Sequence, residues 1–194
     1  WHGTAPVAEA EAVRAAATQA AEAMQFLHAQ SPPVVHRDLK SHNVLLDADG
    51  RCRLCDFGLV HTREATAGTP NYMAPELLYS MSPDTSAVQK ADIFSLGCSL
   101  YEAASLRTLP KNSEDEEGSL YLEIRKGKLP FLENYSKKFN DILRSMIKEE
   151  PQDRPTALKL LTQISVSKKK TKTQLSRKLR ASQKRLVKLY KAPL

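Results

Sequence analysis

Glycine is scarce in this chain, with 7 among 194 residues and none arranged as Gly-x-Gly-x-x-Gly. A loop of that pattern, whose backbone N–H groups would cover nucleotide phosphates, is therefore not encoded in these residues. Cysteine is sparser still: Cys52, Cys55 and Cys98, each inside an apolar segment. No second Cys or His pair follows Cys52 and Cys55 at ligand spacing. The two read as core residues of a short strand and not as half a zinc site, in keeping with a reducing compartment. No apolar run approaches the roughly 18 residues that a membrane-spanning helix needs, and no signal-peptide pattern opens the sequence. Acidic residues are missing from residues 165–194, which hold 11 Lys/Arg and so carry +11; residues 1–164 hold 18 basic and 22 acidic residues, a net of −4. The overall +7 is thus an average of a mildly acidic body and a basic tail. Any argument from charge to nucleic acid or membrane concerns the tail alone.

A hydrophobic content of 41% supports one compact domain plus a tail. Val13, Ala17, Ala20, Met24 and Leu27 recur every three or four residues and predict a helix over 9–29, stopped by Ser31-Pro32-Pro33. Val34-Val35 reads as a short strand. Residues 44–46 and 51–55 read as two more, around the turn Asp47-Ala48-Asp49-Gly50. Residues 56–76 read as a polar loop. Residues 91–106, apolar nearly all round, predict a buried central helix. Further helices are expected over 119–127, 137–148 and 156–165, the last closing on Leu158, Leu161 and Ile164. The acidic run Glu114-Asp115-Glu116-Glu117 reads as a solvated loop, with a docking site as the alternative. The fold class expected is mainly α with short β hairpins.

The chemistry lies in His36-Arg37-Asp38-Leu39-Lys40-Ser41-His42-Asn43, followed thirteen residues after Asn43 by Asp56-Phe57-Gly58. Those side chains suit phosphoryl transfer, which asks for positioning and charge compensation more than covalent participation. Asp38 can orient an attacking hydroxyl and accept its proton. Lys40 can neutralise phosphate charge. Asn43 and Asp56 offer the hard oxygens that Mg²⁺ takes alongside water and the phosphates of ATP.

His-Arg-Asp alone is a weak signal, as is Asp-Phe-Gly. Their order is specific when Gly68-Thr69-Pro70-Asn71-Tyr72-Met73, Ala74-Pro75-Glu76, Asp92 and Arg154 follow. From residue 9 to residue 164 the sequence resembles the C-terminal lobe of a eukaryotic protein kinase, with residues 1–8 as a post-hinge segment, a catalytic loop at 36–43 and an activation segment at 56–76. The resemblance implies that Asp38, Lys40 and Thr69 act in catalysis and that Lys40, Asn43, Leu45 and Asp56 hold ATP, with Leu45 as the apolar floor beneath adenine. It also implies that Asn43 and Asp56 hold magnesium. His36 and Phe57 would supply the lower half of an inter-lobe hydrophobic stack, with Gly58 closing the Asp-Phe-Gly turn. Arg37 would pair with a phosphate on Thr62 or Thr66, or merely pack against the loop. Glu76 and Arg154 would form an ion pair, and Asp92 would hold the catalytic loop's backbone. Lys40 and Thr69 fit serine/threonine kinases, so a Ser/Thr acceptor, or a regulatory Tyr, in a protein substrate is expected.

No strand lysine or partner helix glutamate of an N-terminal lobe fits into the 35 residues before His36. The expectation is an isolated lobe whose N-lobe is absent from this chain and which has little activity alone, or else a non-catalytic interaction module. Residues 120–130 (Leu-Tyr-Leu-Glu-Ile-Arg-Lys-Gly-Lys-Leu-Pro) and 50–60 are similar to the Wee/Myt inhibitory cell-cycle kinases, which implies a cyclin-dependent kinase as substrate. Arg37 and Gly68-Thr69-Pro70 depart from that group and match kinases of the NIMA or mitogen-activated kinase-kinase-kinase type. In the tail, Leu175, Leu179, Leu186 and Tyr190 fit a basic amphipathic helix over 174–191. It has three readings: an import-receptor signal with nucleic-acid affinity, a surface for acidic membranes or partners, or a disordered end. Localisation is expected to be nuclear or cytoplasmic.

Overall fold

The structure, a computed structural model, describes residues 7–60, 67–79, 85–110 and 118–165. Thr62, Thr66, the acidic run and residues 166–194 of the basic tail lie outside them. Helix α1 spans Val7–His28. Its apolar stripe is buried as the spacing predicts: Val13, Ala17, Ala20 and Met24 are at most 2% exposed. Strands β1 (Val44–Leu46) and β2 (Cys52–Leu54) pair antiparallel, Val44 opposite Leu54 and Leu46 opposite Cys52. The turn between them closes on Asp47, whose Oδ1 accepts the Asp49 N–H at 3.0 Å and the Arg51 N–H at 2.8 Å. Gly50 takes φ 74° there, a conformation that costs a residue without Cβ little.

Helix α2 covers Pro75–Tyr79, α3 Thr85–Ser105, α4 Gly118–Arg125, α5 Lys137–Met146 and α6 Ala157–Ser165. Short 3₁₀ turns sit at Ser41–Asn43, Pro70–Tyr72 and Pro151–Asp153. α3 is the axis of the molecule: thirteen of its residues are buried, among them Ile93, Phe94 and Cys98 at 0% exposure. Around it pack α1, α5 and the turns, while α6 lies against α1. At Gly97 the approach of α5 is so close that a Cβ would stand 2.9 Å from Met146 Cβ and from Ile147 Cγ2. Among the described residues no helix is long and apolar enough to cross a membrane.

Three expectations need correction. Val34-Val35 forms no strand; the segment is irregular, with the Val34 N–H donated back to Leu27 O at 3.0 Å, and no strand among the described residues offers it a ladder. The polar loop ends early, because Pro75 opens α2 and Pro70 opens a 3₁₀ turn, positions that proline's fixed φ suits. In α6 the buried face is Ala157, Leu160 and Ile164, while Leu158 is 58% exposed. The choice between two overlapping i, i+3 registers fell to the one that meets α1. Cys52 sits in β2, half-buried; Cys55 follows it, half-buried; burial pushes the thiols of Cys52 and Cys98 up to about 12.

Candidate active site

Asp92 organises the site from below. It lies on α3 at 1% exposure, and a bare carboxylate at that depth would be costly. Its Oδ2 accepts the His36 N–H at 2.9 Å, and its Oδ1 accepts the Arg37 N–H at 2.9 Å. His28 Nε2 lies 2.9 Å from Oδ2. Pinned in this way, Arg37 holds φ 67°, a strained value for a residue with Cβ, and the chain turns to present Asp38. His36 is fully buried, with Nε2 2.9 Å from Cys55 O and its ring centroid 4.9 Å from that of Phe57.

Asp38, Lys40 and Thr69 form one cluster. Asp38 Oδ1 accepts the Thr69 N–H at 2.9 Å and the Thr69 hydroxyl at 2.7 Å. Lys40 Nζ donates to Asp38 Oδ2 at 2.7 Å and to Thr69 Oγ1 at 2.9 Å. Burial pushes the Asp38 carboxyl up, but the bonds from Lys40 and Thr69 and the ammonium's charge outweigh it and hold the group below its ordinary 3.8. An ionised carboxylate beside a cation and a hydroxyl can orient a donor and take its proton.

Asn43 and Asp56 supply oxygen. Asn43 Nδ2 donates to Asp38 O at 2.8 Å, which occupies the amide's nitrogen and leaves its Oδ1 without a hydrogen bond among the described residues. The Asn43 carbonyl accepts the Cys55 N–H at 3.0 Å and so ties the loop to Asp56. Asp56 is exposed at φ 64°, its carboxylate likewise without a hydrogen bond among the described residues. The carboxamide oxygen of Asn43, a residue 5% exposed, and the exposed carboxylate of Asp56 are hard donors of the kind that fit a Mg²⁺ ion, which keeps waters and takes phosphate oxygens. Leu45 is 50% exposed between half-buried Val44 and Leu46, and Gly58 is exposed, its place for a Cβ 3.4 Å from Asp56 Oδ1.

Below the cluster, Arg154 is fully buried and meets Glu76 through two parallel bonds, Nη1 to Oε1 at 2.6 Å and Nη2 to Oε2 at 2.8 Å. Its remaining N–H groups go to the carbonyls of Lys148 at 2.6 Å, Glu149 at 2.7 Å and Lys90 at 3.2 Å. The structure thus brings Asp38 together with Lys40 and Thr69, Glu76 with Arg154, Asp92 with the backbone of His36 and Arg37, and the rings of His36 and Phe57.

It adds contacts that sequence reasoning missed. Tyr72 Oη donates to Glu102 Oε2 at 2.7 Å and lies 3.1 Å from Ser41 Oγ, while Ser95 Oγ donates to Tyr72 O at 2.7 Å. His28 had a signal: it falls four residues after Met24, on the buried stripe of α1, where a polar group requires a partner.

A family model described as protein kinase domain matches residues 4–164. A zebrafish (Danio rerio) protein, serine/threonine-protein kinase 10, is 37% identical over 174 residues, covering 84% of this chain and 18% of its own length. The rice (Oryza sativa subsp. japonica) serine/threonine-protein kinase Nek6 is 38% identical over 150 residues, 74% of this chain and 27% of its own. The Drosophila melanogaster membrane-associated tyrosine- and threonine-specific cdc2-inhibitory kinase is 37% identical over 167 residues, 78% of this chain and 30% of its own. The chain therefore spans less than a third of the length of each of these relatives.

Proposed function

This chain belongs to the protein kinase domain family, and on that premise we propose that it carries the phosphoryl-transfer residues of an ATP-dependent protein serine/threonine kinase. The observation that carries the proposal is the Asp38–Lys40–Thr69 cluster, with the oxygens of Asn43 and Asp56 as further donors. Asp38 orients the acceptor hydroxyl and takes its proton, its carboxylate kept ionised by Lys40 and Thr69. Lys40 faces the transferred phosphate, and Thr69 Oγ1 bridges the two groups and so fixes their separation. Asn43 and Asp56 are the residues that would hold Mg²⁺, which when bound neutralises phosphate charge. Leu45 serves as the floor for adenine, and Arg37 answers a phosphate on Thr62 or Thr66.

Phosphate-covering glycines are missing from these 194 residues. We therefore read residues 9–164 as the C-terminal lobe, working with an N-terminal lobe that they do not encode. The identity to the Drosophila cdc2-inhibitory kinase supports a cyclin-dependent kinase as the protein substrate, with a Tyr acceptor beside Ser/Thr, and a role in cell-cycle control. The same lack of glycines supports the second reading, a non-catalytic module that binds regulators.

Radiolabelled phosphate transfer decides between them. The 194-residue chain should show no appreciable turnover, whereas a form joined to a glycine-rich N-lobe should reach the ~1–100 s⁻¹ of protein kinases. In that form Asp38→Asn should abolish transfer and spare nucleotide binding; Asp56→Ala should remove magnesium-dependent ATP binding. Loss of ATP affinity alone in both variants, with maximal rate kept, would show that the roles are misassigned.

A further inference from the structure

Thr69 reaches Asp38 from the end of the turn Pro70–Tyr72, and a cation on a distant element grips that turn. Arg125 ends α4, a helix anchored by Ile124 at 1% exposure. Arg125 itself is 5% exposed. Its Nη2 donates to the carbonyl oxygen of Pro70 and contacts that of Met73 at 3.5 Å. Pro70 opens the turn and Met73 is its C-terminal cap, so the two oxygens mark its ends. One guanidinium nitrogen carries two hydrogens, so a single rigid planar group can engage both carbonyls and fix the turn against α4. A buried guanidinium is costly unless matched, and backbone carbonyls beside Thr69 supply acceptors here.

The nucleotide side is held by different contacts. His36 and Arg37 hang on Asp92; Asn43 is tied to the Asp38 carbonyl and, through its own carbonyl, to Cys55. None of these four bonds passes through the turn, although Tyr72 of the turn also meets the catalytic loop, its Oη 3.1 Å from Ser41 Oγ.

We propose that Arg125 is a positioning residue for the acceptor side of the site: it holds the Pro70–Tyr72 turn where Thr69 bonds both Asp38 and Lys40. The seat of the protein substrate's hydroxyl, and not that of the nucleotide, then depends on α4. The effect on catalysis rests on the kinase reading above; the effect on Thr69 does not.

Amide hydrogen exchange on the 194-residue chain provides the first test. In Arg125→Lys, which keeps the charge and loses the planar fork, the Thr69 amide should exchange roughly tenfold faster, while the His36 and Arg37 amides keep their protection. Equal loss of protection at all three would mean that Arg125 serves global stability only, and unchanged exchange at Thr69 would mean that it positions nothing. Arg125→Lys retains the side chain's apolar stem, and its unfolding midpoint establishes that it folds. The second test uses the form joined to an N-lobe. There Arg125→Lys should raise KM for the protein substrate roughly tenfold and leave KM for ATP unchanged; equal rises in both overturn the proposal. If no joined form transfers phosphate, the kinase reading fails and the exchange result alone decides the role of Arg125.

Discussion

Asp38 shows how three side chains tune one group. Burial alone would raise its carboxyl and favour the protonated form; Lys40 and Thr69 reverse the balance and keep the carboxylate ionised. Because the folded value lies below the ordinary 3.8, this pairing stabilises the folded chain fully above that pH. The stabilisation is lost as pH falls through the lower folded value. Thr69→Ala deletes the hydroxyl and leaves the N–H donor in place. The Asp38 carboxyl should then move up toward its ordinary value in a ¹³C NMR titration. An unmoved titration would show that Lys40 and the Thr69 N–H set it without the hydroxyl.

At the scale of elements, the ion pair and the central helix carry the tightest constraints. Glu76→Ala strands a buried guanidinium, at a cost of about 3–5 kcal/mol if the remaining carbonyls do not compensate. Arg154→Ala should cost at least as much, since it deletes the ion pair and leaves the carbonyls of Lys148, Glu149 and Lys90 without that donor. Replacing both residues by apolar ones should be milder than the sum; strictly additive, sub-kilocalorie changes in denaturant melts would contradict this coupling. Gly97→Ala should cost about 1–3 kcal/mol, because its Cβ would meet the backbone-near atom Met146 Cβ at 2.9 Å as well as Ile147 Cγ2. α3 and α5 would have to separate. Thermal unfolding would register it as a fall of several degrees, and an unchanged midpoint would mean that the helices yield freely.

For the whole molecule the division is electrostatic. A body of net −4 is joined to 30 residues of net +11, so attraction to polyanions belongs to the tail. Binding of the full chain to heparin or DNA should weaken steeply with salt, as each neutralised phosphate releases a counterion. Deleting residues 166–194 should abolish the binding and leave the unfolding transition of the body in place, since α6 already closes its buried face with Ile164. Undiminished binding by the truncated body would refute the charge argument. A body that no longer folded would show that the tail's leucines pack on it. We propose that Lys168-Lys169-Lys170-Thr171-Lys172 also serves nuclear import, which loss of nuclear accumulation in a truncated fluorescent fusion would reveal.

What the sequence determined by itself was local chemistry. Asp38, Lys40 and Asn43 fall within six residues, and the backbone's short reach per residue keeps such offsets together whatever the rest of the chain does. The stripe of α1, the hairpin turn at Asp47 and the apolar core of α3 were legible for the same reason: each repeats within a few residues. Thr69 meets Asp38 across 31 positions and Arg154 meets Glu76 across 78, and sequence reading reached those pairs through family resemblance rather than through spacing. His28 under Asp92, Arg125 against the turn, and Leu160 rather than Leu158 facing the core were decided only by tertiary structure. Each depends on which faces of separate helices come together around α3, and a buried polar group's partner is settled only when those helices pack.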